Sequence, residues 1–127
     1  MENIDLIYEV TLYPEEHKIP IDLKINIYRE TDKRLSHGPR VKFYKNKKDD
    51  DSFSISINEN NEKIKHVSGN YRKLVSGGTL IRLINRVRDY KIPFLNAWYN
   101  PNVSKEMVLN QMRMIDRGEK VELIKPK

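Results

Sequence analysis

Two short stretches carry side chains spaced for chemistry. His37-Gly38-Pro39-Arg40 stands just before an alternating apolar run. Glycine permits backbone angles closed to other residues, and proline fixes its own φ, so the pair can hold His37 and Arg40 at one mouth. An imidazole there would move a proton near neutral pH, and a guanidinium would clamp a phosphate or carboxylate. The same four residues also make an ordinary Gly-Pro turn with a surface histidine. The turn is the preferred reading over catalysis, with the loop kept as a binding contact, since loops carry recognition. Asp22-Leu23-Lys24 is the second stretch. A carboxylate, one spacer and a lysine on a strand form half of a metal-dependent nuclease signature, the acid holding Mg²⁺ and the lysine aiding the attacking water. Asp5 or Glu9 would supply the other carboxylate. Charged residues on the wet face of a strand give the same spacing, so Asp22, Lys24 and His37 form an alternative catalytic set only.

The remaining polar clusters point to binding or to nothing. Asp49-Asp50-Asp51 follows Lys45, Lys47 and Lys48 and reads as a neutralised hairpin tip. His17, His37 and His66 lack zinc-like spacing. There is no cysteine, hence no disulfide and no thiolate ligand or nucleophile. Two glycines in "VSGGT" precede a helical pattern, where an anion can bind, although a plain loop–helix junction explains them better. No cofactor or metal is expected. Arg82 and Arg86 lie four apart on the polar face of that helical pattern, and Arg72 is close in sequence. Arg40 and Lys42 face outward at the start of a strand. Together with His37 these five are the expected contacts to phosphates or to an acidic protein surface. The aromatics of "FLNAWYNPN" would have to be exposed to stack on bases. Helical spacing makes Trp98 a core residue instead.

The elements that must position these groups are legible in the periodicity. Apolar residues alternate over Ile4–Leu12, over Ile21, Leu23, Ile25 and Ile27, and from Val41 to Phe43. "SFSISI" is the clearest strand, with Phe53, Ile55 and Ile57 inward, and Ile64–Val67 is a short last one. Pro14 closes the first strand, and Glu15–Pro20 reads as a loop. From Thr79, an expected N-cap, the period becomes helical: Leu80, Ile81, Leu83, Ile84, Val87 and Tyr90. Pro93 kinks this helix or begins a second one bearing Leu95 and Trp98. Ser104 caps a further helix whose stripe is Val108, Met112 and Ile115; Val103 staples it and Gly118 ends it. The tail "KVELIKPK" is a possible edge strand. The expected architecture is one α+β domain over residues 1–127: an N-terminal antiparallel sheet of about five strands, then two or three helices packed on one face.

This order resembles a known family. A strand ("IDLKINIYRE"), a His-Pro loop ("SHGPR"), two strands ("VKFYK", "FSISI") and a helix ending in "FLNAWYNPN" are similar to domain-of-unknown-function family 4160. The similarity spans roughly residues 20 to 100. It implies a small accessory protein of phages, mobile elements or toxin–antitoxin neighbourhoods. In that family a second histidine follows the loop, where Val41 and Lys42 stand here.

Charge and hydropathy bound the rest. The net charge of +6 and pI of about 9.5 favour phosphate polymers or acidic partners, although 18 acidic residues offset 24 basic ones. No stretch reaches the ~18 apolar residues of a membrane span. The N-terminus lacks the basic start and apolar block of a signal peptide. The expectation is a soluble cytoplasmic protein without enzymatic activity that binds and modulates a host or phage protein. Direct nucleic-acid binding is the second reading, and a metal-dependent nuclease is the third.

Overall fold

Alternation of apolar and polar residues gives strands that bury one face, and five such strands pair here in sequence order. The computed structural model describes residues 9–28, 38–48, 50–57 and 67–124. His37, His66 and Asp5 lie outside them, as does the expected first strand before Glu9. The strands are β1 (Glu9–Leu12), β2 (Lys24–Tyr28), β3 (Arg40–Tyr44), β4 (Ser52–Ser56) and β5 (Val67–Gly69). They form an antiparallel meander in the order β1-β2-β3-β4-β5. The register aligns Leu12 with Ile25, Ile25 with Phe43, and Phe43 with Phe53, so one face is continuously apolar. Phe43 and Phe53 stack with ring centroids 5.1 Å apart.

Among the described residues, one helical turn lies between β1 and β2, and four helices follow the sheet. In chain order they are α1 (Pro14–His17), α2 (Tyr71–Leu74), α3 (Gly77–Asp89), α4 (Lys91–Tyr99) and α5 (Lys105–Asp116), with α1 and α2 single turns. Helix α4 is buried along Pro93–Trp98, and a helix apolar on all sides belongs in a core. Tyr90 ends α3 and begins α4, so Pro93 falls in the first turn of a separate helix, where its missing N–H has no partner to lose. The Tyr90 hydroxyl donates to Asp116 Oδ1 at 2.6 Å and ties this junction to α5. Burial and the Asp116 carboxylate push the Tyr90 phenol up to about 12. Ser104 caps α5 by accepting from Met107 N–H at 3.2 Å. Val103 and Val108 both join the core. At the far end Gly118 adopts φ +81, with Gly118 N–H bonded to Ile115 O and Glu119 N–H to Met114 O, a left-handed cap that glycine favours.

Several boundaries differ from the sequence expectation, each for a local reason. Helix α3 starts at Gly77 rather than after Thr79, because Ser76 Oγ accepts from Thr79 N–H at 3.2 Å. Ile81, expected inside, is 62% exposed, since the buried stripe of α3 is Leu83, Val87 and Tyr90 flanked by Leu80 and Ile84. Glu15–His17 form one helical turn with Pro14 at its start rather than a loop. The tail has no strand over residues 119–124. It is held by the buried Asn96 amide, which donates to Glu122 O at 3.1 Å and accepts from Ile124 N–H at 2.6 Å. One side chain thus supplies the two bonds a neighbouring strand would supply.

Strand β2 begins at Lys24, not at Ile21, because the backbone of 19–23 is used elsewhere. The Ile21 N–H bonds Ile19 O at 2.6 Å. The buried His17 ring takes two more backbone groups: Nδ1 accepts from Ile19 N–H at 3.0 Å, and Nε2 lies 2.8 Å from Leu23 O. An accepting Nδ1 assigns the proton to Nε2, the neutral tautomer. Burial holds the His17 pKa below its ordinary 6.5, against the Leu23 carbonyl and the charges of Glu16 and Glu15, which act to raise it. With the folded value depressed, the unfolded chain binds more protons as pH falls through about 6.5. The His17 contribution is therefore complete above that value and is lost as pH falls toward the folded pKa. The urea midpoint of the wild type should drop between about pH 7.5 and pH 5.5. His17→Gln, which cannot take up that proton, should show a flatter profile; identical slopes would remove the assignment.

Candidate functional site

The His17-pinned loop, 19–23, is one wall of a groove. Helix α3 is the facing wall, and the segment 70–76 with the β3–β4 hairpin extends it. Three adjoining clefts make it up. The first, about 240 Å³, lies between Ile19-Pro20-Ile21 and the α3 residues Thr79, Arg82, Leu83, Asn85, Arg86 and Asp89. The second, about 350 Å³, shares Pro20, Ile21 and Thr79 with it and adds Asp22, Lys45, Lys73 and Ser76. The third, about 550 Å³, shares Lys45 and Leu74 with the second and is lined by Asn46, Asp50, Asp51 and Asn70 at the hairpin tip.

The groove is charge-balanced but graded. Four basic residues (Lys45, Lys73, Arg82, Arg86) meet four acidic ones (Asp22, Asp50, Asp51, Asp89). Lys45 and Asp22 are 3.9 Å apart, and Lys73 and Asp51 are 3.8 Å apart; these exposed pairs each contribute under about 1 kcal/mol. Neither Arg82 nor Arg86 joins an ion pair among the described residues. Arg82 Nη2 donates to Thr79 Oγ1 at 3.3 Å. Two like charges one helical turn apart repel by about 0.2–0.5 kcal/mol, which a bound anion would relieve.

The structure thus divides the expected contact residues between two surfaces. Arg82 and Arg86 line the groove, and Arg72 is exposed on α2, its guanidinium 5.5 Å from the Tyr71 ring centroid. On β3, Arg40 and Lys42 are in register with Ser56 and Ser54; Lys42 stands opposite the apolar face, whereas Arg40, at the first position of the strand, carries its guanidinium to the helix layer. The Arg40 guanidinium stands 6.0 Å from the Trp98 ring centroid, with a buried Nη1 that has no hydrogen-bond partner among the described residues. Gly38 keeps φ outside the left-handed region, so the turn does not use the freedom of glycine. The Pro39 carbonyl accepts from Ile57 N–H at 2.8 Å and anchors the turn to the end of β4.

Of the alternative catalytic set, Asp22 and Lys24 lie among the described residues and His37 does not. Asp22 sits in a bend before β2 with its side chain 85% exposed. Lys24 Nζ donates to Asn46 O at 3.3 Å and lies between the Tyr13 and Tyr44 rings, 5.8 and 5.5 Å from their centroids. Glu9, one of the two expected second carboxylates, is paired with Lys48, and Asp5, the other, lies outside the described residues. Among the described residues no three His, Cys, Asp or Glu side chains are grouped to hold a metal ion. Asp49 lies outside the described residues; among those described, Lys48 reaches Glu9, Lys45 reaches Asp22, and Asp51 reaches Lys73.

Sequence reasoning missed the 19–21 loop, Lys45 and Asn85 as groove residues. The groove is assembled from segments near residues 20, 45–51 and 70–89, so no local pattern announces it. The one local signal was a histidine three residues before a proline, which fits a pinned loop equally well without a groove.

No family model matches the chain, and no curated protein or solved structure matches it. No helix among the described residues is long and apolar enough to cross a membrane.

Proposed function

We propose that this α+β domain acts without turnover, by binding a protein partner in the groove between α3 and the 19–23 loop. The observation that carries this reading is the balance of charge along the groove. A phosphate polymer lying in it would meet Asp22, Asp50, Asp51 and Asp89 as well as the four cations, whereas a polypeptide can match an alternating surface. The outer sheet face, with Lys42, is the alternative surface for nucleic acid. Stacking on bases would need exposed rings there; Tyr44 on β3 is only 5% exposed, and Tyr28 on β2 is half-buried with Lys48 Nζ 5.7 Å from its ring centroid. The resemblance over residues 20–100 supports a partner in host defence or nucleic-acid-handling machinery, which a small phage or mobile-element protein would inhibit or modulate.

Site-specific photo-crosslinking tests this reading. A benzophenone amino acid at Asn85 should trap one defined protein in the native host, and the same probe at Ser54 on the outer sheet face should not. Adducts from Ser54 alone, or nucleic-acid adducts from Asn85, would overturn it.

A further inference from the structure

The groove offers its unpaired cations at one end only, and that asymmetry bears on what the partner presents there. Arg82 and Arg86 project from successive turns of α3 into the 240 Å³ cleft, without ion pairs among the described residues. The opposite wall is apolar: Pro20 is exposed and Ile21 half-buried. Pockets for cofactors and drug-sized ligands usually measure ~300–1,000 Å³, so this cleft suits a side chain or two rather than a whole small molecule. The wall has little give, because His17 fixes the 19–23 backbone through Ile19 N–H and Leu23 O. We infer that the cleft receives an acidic segment of the protein partner, a carboxylate bridging Arg82 and Arg86 while an adjacent apolar side chain packs on Pro20 and Ile21. This inference rests on the protein-binding reading above and narrows it. A guanidinium pair favours a planar carboxylate through paired N–H donors. Asp89 in the same cleft and Asp22 just beyond it disfavour an extended polyanion. The acidic segment therefore stops at the arginines, and the partner turns basic or neutral toward Asp50 at the hairpin tip.

The probe is a surface-displayed library of random short peptides selected on the full-length chain. Selected peptides should be enriched in Asp or Glu next to Leu, Ile or Phe. Arg82→Glu with Arg86→Glu should weaken them about tenfold or more, as loss and reversal of a directional charge contact does. Lysine-for-acid versions of the same peptides should bind the double variant better than the wild type. Both positions are exposed, so the variant should melt with the wild type; the Arg82→Gln, Arg86→Gln pair serves if it does not. Selected peptides without acidic enrichment, acidic peptides indifferent to both double variants, or no selected peptide at all would overturn the inference. Crosslinking of a protein at Asn85 would in those cases leave the protein-binding reading standing, whereas nucleic-acid adducts there, or adducts from Ser54 alone, would remove it.

Discussion

Trp98→Ala should lower the unfolding free energy by about 3–5 kcal/mol, the range for removing a large aromatic from a packed core. Trp98 is 3% exposed, on a helix whose residues Pro93 to Trp98 are all buried. Helix α4 bridges the sheet and α5, so the cavity would open at the junction of both layers, where relaxation on one side strains the other. The Arg40 guanidinium over the ring would lose its aromatic contact at the same time. Urea denaturation measures this directly. A wild-type midpoint would mean that the ring contributes nothing to the core and would return it to the surface role of stacking.

Gly69→Ala is expected to cost about 2–4 kcal/mol, from a left-handed backbone and from overpacking. Gly69 adopts φ +104, and a Cβ there would lie 2.4 Å from Ser52 O and 2.8 Å from Phe53 Cα. Both contacts are backbone atoms at the start of β4, which cannot rotate away. Relief would require β5 to separate, breaking the Asn70 N–H bond to Ser52 O at 2.8 Å and shifting Tyr71, which meets Phe53 edge-on at 6.5 Å. Gly77→Ala is the control. Nothing lies within 4 Å of its Cβ, and alanine suits a first helical turn. Equal thermal melts for the two variants would contradict the packing described for β5. The loss at Gly69 should also reach the groove, because 70–76 forms part of its wall.

The regular elements were readable because their signals are local. Serines alternating with Phe53, Ile55 and Ile57 define β4, and Ser104 followed by an apolar stripe defines α5. The switch to a helical period from Thr79 separates the sheet from the long helices. Other features depend on partners distant in sequence. Asn26 sits where alternation calls for a wet residue, yet it is fully buried, its Oδ1 accepting from Thr11 Oγ1 at 2.7 Å. Ile81 belongs to an apolar run but lies just off the stripe that meets the core. The groove wall depends on a histidine ring satisfying two backbone groups, and a residue type alone does not reveal that. Charge was legible as a total, but its division between the groove and the outer sheet face was not.

The central claim is that the groove, rather than the outer sheet face, meets a protein. Amide chemical shifts of the isotope-labelled chain, followed while the protein trapped at Asn85 is titrated in, test it most directly. The account predicts changes concentrated in 19–23, 45–51 and 70–89, with Lys42, Ser54 and Ser68 undisturbed. Changes centred on those three outer-face residues, or a spectrum that moves with nucleic acid and not with protein, would contradict it.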